Sequence, residues 1–303
     1  MFGVLLQMAV MIAVGVGWRV LKPLGLEADA TRRAVTGMVY AVLLPALVLD
    51  VLWHAPMGLD TVRIAIAAAA GVLVALALAH RLYAAWGTPA TVTGAMLLAA
   101  AFGNVTYLGL PVLTAALGPW AGGVAIQYDL FACTPLLLTV GILVARRFGG
   151  GAAENPLLAL LKVPPLWAAL LAVALHLAGV APLPWLHGLL STLGAGVVPL
   201  MLVSLGMGLT WASVSGRGLL YMAPALGIQL LVTPALVWGV ALLLGLEGPT
   251  LTAVVLEAAM PCMVLGIVIC DRYGLDTGLY AGAVSLSTLL SLATLPMWFH
   301  LAG

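Results

Sequence analysis

Residues Ala99–Leu113 read "AAAFGNVTYLGLPVL". The flanks are apolar enough to cross a bilayer, yet the centre carries Gly103, Asn104 and Thr106, and Gly109 and Pro111 follow within two turns. Gly and Pro free backbone groups that hydrocarbon cannot satisfy, so a helix weakened here must put the break to use. The reading of this stretch decides the fold, because a second break, "AMPCMV" at residues 259–264, lies in an equally apolar setting.

The surroundings set the class. Of 303 residues, 64% are hydrophobic and 7% charged, and the mean hydropathy is +1.21. An ordinary soluble domain carries about 25% charged residues. Between Thr88 and Ala145 the only charge is Asp129, and none occurs between Val163 and Gly216 or between Gly218 and Leu246. The chain therefore reads as an all-α polytopic membrane protein. A net charge of +1 provides no basic face for nucleic acid. Cys133, Cys262 and Cys270 lie in apolar segments without a C-x-x-C pair and read as free thiols filling space. The first apolar run, 2–21, lacks a positive n-region and has its charges, Arg19 and Lys22, behind it, so it reads as a first transmembrane helix and not as a signal peptide.

At about 20 apolar residues per crossing, the chain divides into ten spans: 2–21, 34–53, 62–83, 90–118, 121–145, 163–180, 188–211, 218–244, 249–271 and 278–301. The fourth and ninth are the broken ones. With alternate loops cytoplasmic from the first, that side holds ten of the eleven Lys and Arg residues and the other side only Arg63. The positive-inside rule then places both termini outside the plasma (inner) membrane. The longest polar connection, 145–162, separates two five-span halves, 1–150 and 151–303. An odd-numbered repeat must enter the membrane from the opposite face, so the halves form an inverted repeat. Under one constant offset Leu98, Ala100, Ala101 and Leu117 align with Leu256, Ala258, Ala259 and Leu275, and Gly103-Asn104 with Pro261-Cys262. Paired breaks in equivalent places point to a transporter binding site.

Residues 99–118, "AAAFGNVTYLGLPVLTAALG", and 257–298, "EAAMPCMVLGIVICDRYGLDTGLYAGAVSLSTLLSLATLPMW", resemble the auxin efflux carrier family, which includes plant PIN carriers and bacterial permeases linked to malate and similar acids. The resemblance implies the ten-helix inverted-repeat fold of the bile-acid/sodium symporters, with broken helices 4 and 9 crossing at the substrate. It also implies a scaffold of spans 1, 2, 6 and 7, a moving domain of spans 3–5 and 8–10, and a homodimer. PIN carriers tend to place a Pro-Asn pair at both crossings. Here the first keeps the Asn (Gly103-Asn104) and the second the Pro (Pro261-Cys262), so a plant-like auxin site is not assumed.

Half-helix N-termini carry about +0.5 of an elementary charge and unpaired amides, which suit a carboxylate. The expected substrate site is Gly103, Asn104, Val105, Thr106, Tyr107, Pro261, Cys262 and Met263. The bland alternative for Asn104 is a helix cap. Glu257 and Asp129 are the ionisable residues inside spans, expected to bind a proton or sodium as coupling ion; the alternative for each is a structural hydrogen bond. In sodium-coupled relatives of the fold an acidic residue near the ninth-span crossing binds sodium, and Glu257 resembles it. Asp50 is placed near a membrane interface, Gln229 reads as an interhelical hydrogen-bonding residue and His176 as a weak proton-relay candidate. His54, His187 and His300 fall near interfaces, as do Trp53, Trp185 and Trp298. The expectation is a secondary transporter of small organic anions, malate-like or auxin-like, working by alternating access in the lipid bilayer. Its rivals are a sodium-coupled symporter of bile-acid-like acids and a non-transporting sensor. An intramembrane enzyme is disfavoured: no H-E-x-x-H, G-x-S-x-G or acid dyad on one helix occurs, and no cofactor or metal is expected.

Overall fold

The computed structural model describes residues 2–55, 58–150, 161–209, 214 and 216–303. Among them are twelve helices: α1 (Phe2–Leu21), α2 (Ala28–His54), α3 (Leu59–Trp86), α4 (Ala90–Ala101), α5 (Val105–Leu117), α6 (Ala121–Phe148), α7 (Pro164–Leu177), α8 (Pro184–Gly208), α9 (Gly216–Leu243), α10 (Gly248–Ala258), α11 (Leu265–Tyr273) and α12 (Thr277–Ala302). Six of these, α2, α3, α6, α8, α9 and α12, are long and apolar enough to cross a membrane alone. The protein is an all-helical, multi-pass membrane protein.

Several helices run beyond the apolar segments read from sequence. The second begins at Ala28, not 34, so Asp29, Arg32 and Arg33 ride on its first turns. Arg81, Arg146, Arg147, Arg217 and Arg272 likewise sit on helix ends and not in loops. Hydrophobicity marks only the part of a helix that lipid covers, whereas the hydrogen-bonded ladder continues into the headgroup region. Most of the connection expected to divide the two halves, 151–160, lies outside the described residues.

Proline shapes the long helices. Pro45, Pro111, Pro135 and Pro234 each lie two residues after a five-residue π turn: Val39–Leu43, Val105–Gly109, Asp129–Cys133 and Ile228–Val232. A proline has no N–H for the carbonyl four residues back and its ring crowds that oxygen, so the preceding turn widens. The carbonyl freed at Leu230 is taken by the indole N–H of Trp298, 2.9 Å away. Trp298 is thus a buried packing residue, where an interfacial anchor was expected.

The two interrupted helices form the centre. From Val92 to Ala101 every residue of α4 is buried, as is every residue of α10 from Leu251 to Ala258. A helix that is apolar all round belongs either in lipid or in a protein core; α4 is in the core, enclosed by α3, α6, α9 and α12. At one flank α1 lies on α8 so closely that a Cβ on Gly15 would stand 2.8 Å from the Cα of Gly206. Small residues allow this backbone-to-backbone contact, the usual basis of helix association in lipid.

Candidate functional site

The first break spans Phe102–Asn104, and the second lies between Ala258 and Leu265. Gly103 and Cys262 form an antiparallel β-bridge. The amide of Asn104 donates to the Pro261 carbonyl at 2.7 Å, and that of Met263 to the Phe102 carbonyl at 2.9 Å. Each break therefore satisfies backbone groups that the other exposes, as a chain in lipid requires. Pro261 fits because the bridge needs only its carbonyl.

Neighbouring helices supply the remaining partners. Gln229 of α9 donates its side-chain amide to the carbonyls of Met260 (2.9 Å) and Ala258 (3.4 Å). Tyr280 of α12 donates to the Met263 carbonyl at 2.8 Å, and Ser287 of the same helix accepts from the Cys262 amide at 3.1 Å. The Cys262 thiol donates to the carbonyl of Ala99 at 3.1 Å. Cys262 thus covers a carbonyl at the end of α4. Gly103 is small for the same reason: a Cβ would stand 3.1 Å from the Gln229 nitrogen and 3.3 Å from the Met260 oxygen.

Asn104 contributes its backbone to the crossing and its side chain to a cavity. Its carbonyl accepts the first bonds of α5, from Leu108 (3.2 Å) and Gly109 (3.0 Å), but its side chain caps nothing. The Oδ1 atom is buried without a partner among the described residues. The side chain instead lines a cavity of about 50 Å³, together with Thr106, Tyr107, Met263, Asp129, Tyr40 and Thr134. A larger space of about 590 Å³ shares Tyr40, Asn104, Tyr107 and Leu265 with it and extends between α2 and α8 on one side and α5 and α11 on the other. Arg32, Arg33, Asp29 and Asp271 line it as well. Organic ligands occupy clefts of roughly this larger size, about 300–1,000 Å³.

The two intramembrane acids have opposite surroundings. Asp129 sits in the π turn of α6, one oxygen accepting from Thr106 of α5 and the other from Thr134 at 2.8 Å. Glu257, in the last turn of α10, is fully buried, and neither carboxyl oxygen has a hydrogen-bond partner among the described residues. It packs against the bare Cα of Gly109, where a Cβ would come within 2.7 Å of the carboxyl carbon. Glu257 lines neither cavity.

Of the residues singled out in the sequence, Asn104, Thr106, Tyr107, Met263 and Asp129 meet in one cavity wall. Gly103, Val105, Pro261 and Cys262 are buried in the crossing and do not line that wall. Tyr40, Thr134, Ser287 and Arg32 carried no sequence signal beyond their polarity. Asp50, placed at an interface by sequence, is buried and held 2.6 Å from His187.

A family model for membrane transport proteins matches residues 2–299, nearly the whole chain. The chain belongs to that family. The resemblance to auxin efflux carriers drawn from the two broken helices is thereby shown. An uncharacterized transporter of Methanothermobacter thermautotrophicus is 29% identical over 297 residues, covering 96% of this chain and 95% of the relative. An uncharacterized transporter of Methanocaldococcus jannaschii is 28% identical over 208 residues, 68% of this chain and 67% of the relative. The protein is a membrane transporter of this family.

Proposed function

We propose that the protein is a secondary active transporter of small carboxylates, malate-like or auxin-like, coupled to a proton or sodium ion. One observation carries the reading: beside the bridge between the two breaks, the side-chain amide of Asn104, its Oδ1 without a partner among the described residues, lines a cavity that charged residues also line. Around that amide stand the N-termini of α5 and α11, whose first-turn N–H groups suit an anion. No Lys or Arg of the crossing is needed.

The same reading gives the architecture. Counting each interrupted pair as one crossing, the helices make ten spans in two inverted halves, 1–150 and 151–303, with both termini outside. Spans 1, 2, 6 and 7 are the scaffold and the others the moving domain, which carries substrate by alternating access in a homodimer without enzymatic chemistry. The larger cavity then lies between scaffold helices α2 and α8 and moving helices α5 and α11, open on the Arg-rich, cytoplasmic side.

Coupling follows from charge. A bare carboxylate inside a membrane protein costs about 2.5–3.5 kcal/mol on insertion scales, and Glu257 has no donor to offset it. It must carry a proton or a cation. A substrate carboxylate in the cavity that Asp129 lines, with Glu257 buried behind it, would be repelled unless that positive charge accompanied it, so each binding raises the affinity of the other.

Uptake of malate and indole-3-acetate into proteoliposomes, at two pH values with and without sodium, tests this. In a proton-coupled carrier Glu257→Gln leaves binding intact and abolishes its pH dependence. In a sodium-coupled one it abolishes sodium stimulation and weakens binding. Unchanged dependence on both would remove Glu257 from coupling, and no uptake or binding of either acid by the wild type would remove the carboxylate reading.

A further inference from the structure

We propose that Asp50, His54 and His187 form a zinc site joining the end of α2 to the start of α8. These residues belong neither to the crossing nor to its cavities. Asp50 and His54 are four residues apart on α2 and so share a face; His187 lies in the first turn of α8, which packs against that face. The Asp50 side chain is 11% exposed, those of His54 and His187 are 43% and 51% exposed, so the carboxylate forms a floor beneath two accessible imidazoles.

The imidazoles converge. Their centroids are 4.8 Å apart, and one donor atom from each of the three residues lies within 4.8 Å of the other two. His187 Nδ1 is 2.6 Å from Asp50 Oδ1, while His54 Nδ1 is 2.7 Å from the Asp50 carbonyl oxygen. A carbonyl can only accept, so His54 carries its proton on Nδ1 and its lone pair on Nε2. That is how backbone oxygens prepare a metal-binding histidine.

Three ligands at zinc distances of about 2.1 Å stand about 3.4 Å from one another in a tetrahedron. The 2.6 Å contact must open and the 4.8 Å separation close, both by rotation of half-exposed rings. Two imidazoles and one carboxylate are a borderline-soft set suited to zinc and poor for calcium or magnesium. They leave the fourth position to water on the exposed side, and the ion would add a metal cross-link to two helices already joined by the Asp50–His187 and Thr36–Ser204 contacts.

The test uses the full chain in detergent, with any affinity tag removed and metal stripped by chelator. Calorimetric titration should give one zinc per chain, and zinc should raise the melting temperature of the wild type. His54→Gln and His187→Asn, the latter able to keep a donor on Asp50, should bind zinc at least about 100-fold more weakly and lose the thermal shift; His300→Gln should behave as wild type. X-ray absorption of the zinc-loaded wild type should count two imidazoles, which decides the matter even if a variant aggregates. Zinc binding unchanged in both variants, fewer than two imidazoles, or no zinc taken up by the wild type would overturn the proposal.

Discussion

Asn104 and Asp129 were legible because polarity is itself the signal in an apolar run: a residue that costs free energy in lipid is kept for a reason. Their partners were not. Thr134 meets Asp129 only because a π turn brings the fifth residue round, and Asp50 meets His187 across 137 positions. A tertiary contact leaves no mark in a single sequence. The geometry also separates the two roles considered for Asn104. Its side chain makes no cap, so Asn104→Leu removes an unpaired buried acceptor and should leave the melting temperature unchanged or higher. Carboxylate affinity should fall at least about tenfold, roughly 1.4 kcal/mol. Equal affinity in the variant, measured by calorimetry, would make Asn104 a backbone element only.

Six of the helices were legible as spans, since a stretch of about 20 apolar residues has few alternatives in a bilayer. Their ends were not, because charged turns extend the ladder past the hydrophobic segment, as at Ala28. Nor was the contact of α1 with α8 foreseen: the chain holds 35 glycines, and nothing local distinguishes the pair that touches. Gly206 is critical there, since a Cβ on it would stand 2.9 Å from the Ile12 carbonyl carbon. Backbone cannot rotate aside as a side chain can. Gly206→Leu should therefore destabilise by about 1–3 kcal/mol, seen as a lower melting temperature in detergent, whereas Gly17→Leu, with open space around its Cβ position, should be tolerated. Equal melting temperatures would mean that α1 contributes little to the stability of the assembly.

For the molecule as a whole, the ten-span reading puts ten Lys and Arg residues on one side, an expectation that rests on charge count and not on packing. The structure places eight of those ten on helices, Lys22 and Lys162 being the exceptions, even where loops were expected. Alkaline phosphatase fused after Gly303 should be active, and a fluorescent protein fused after Phe148 should glow, since the first enzyme works only outside the cytoplasm and the second folds inside it. A fluorescent C-terminal fusion would invert the topology and, with it, the side on which the larger cavity opens. The crossing was legible as two breaks; the strand-like pairing between them was not, because it joins segments far apart in the chain.

That pairing bears on the order in which the protein is made. The backbone of Phe102–Asn104 finds its partners in Pro261–Met263, and Gln229, which caps the other break, is also translated late. At about 5–20 residues per second, the ribosome works for on the order of ten seconds or more between the two breaks. During that interval the fourth span holds unpaired amides that lipid cannot satisfy. The first half of the chain must therefore wait at the insertion machinery, or in a wet and loosely seated form, until the second half arrives.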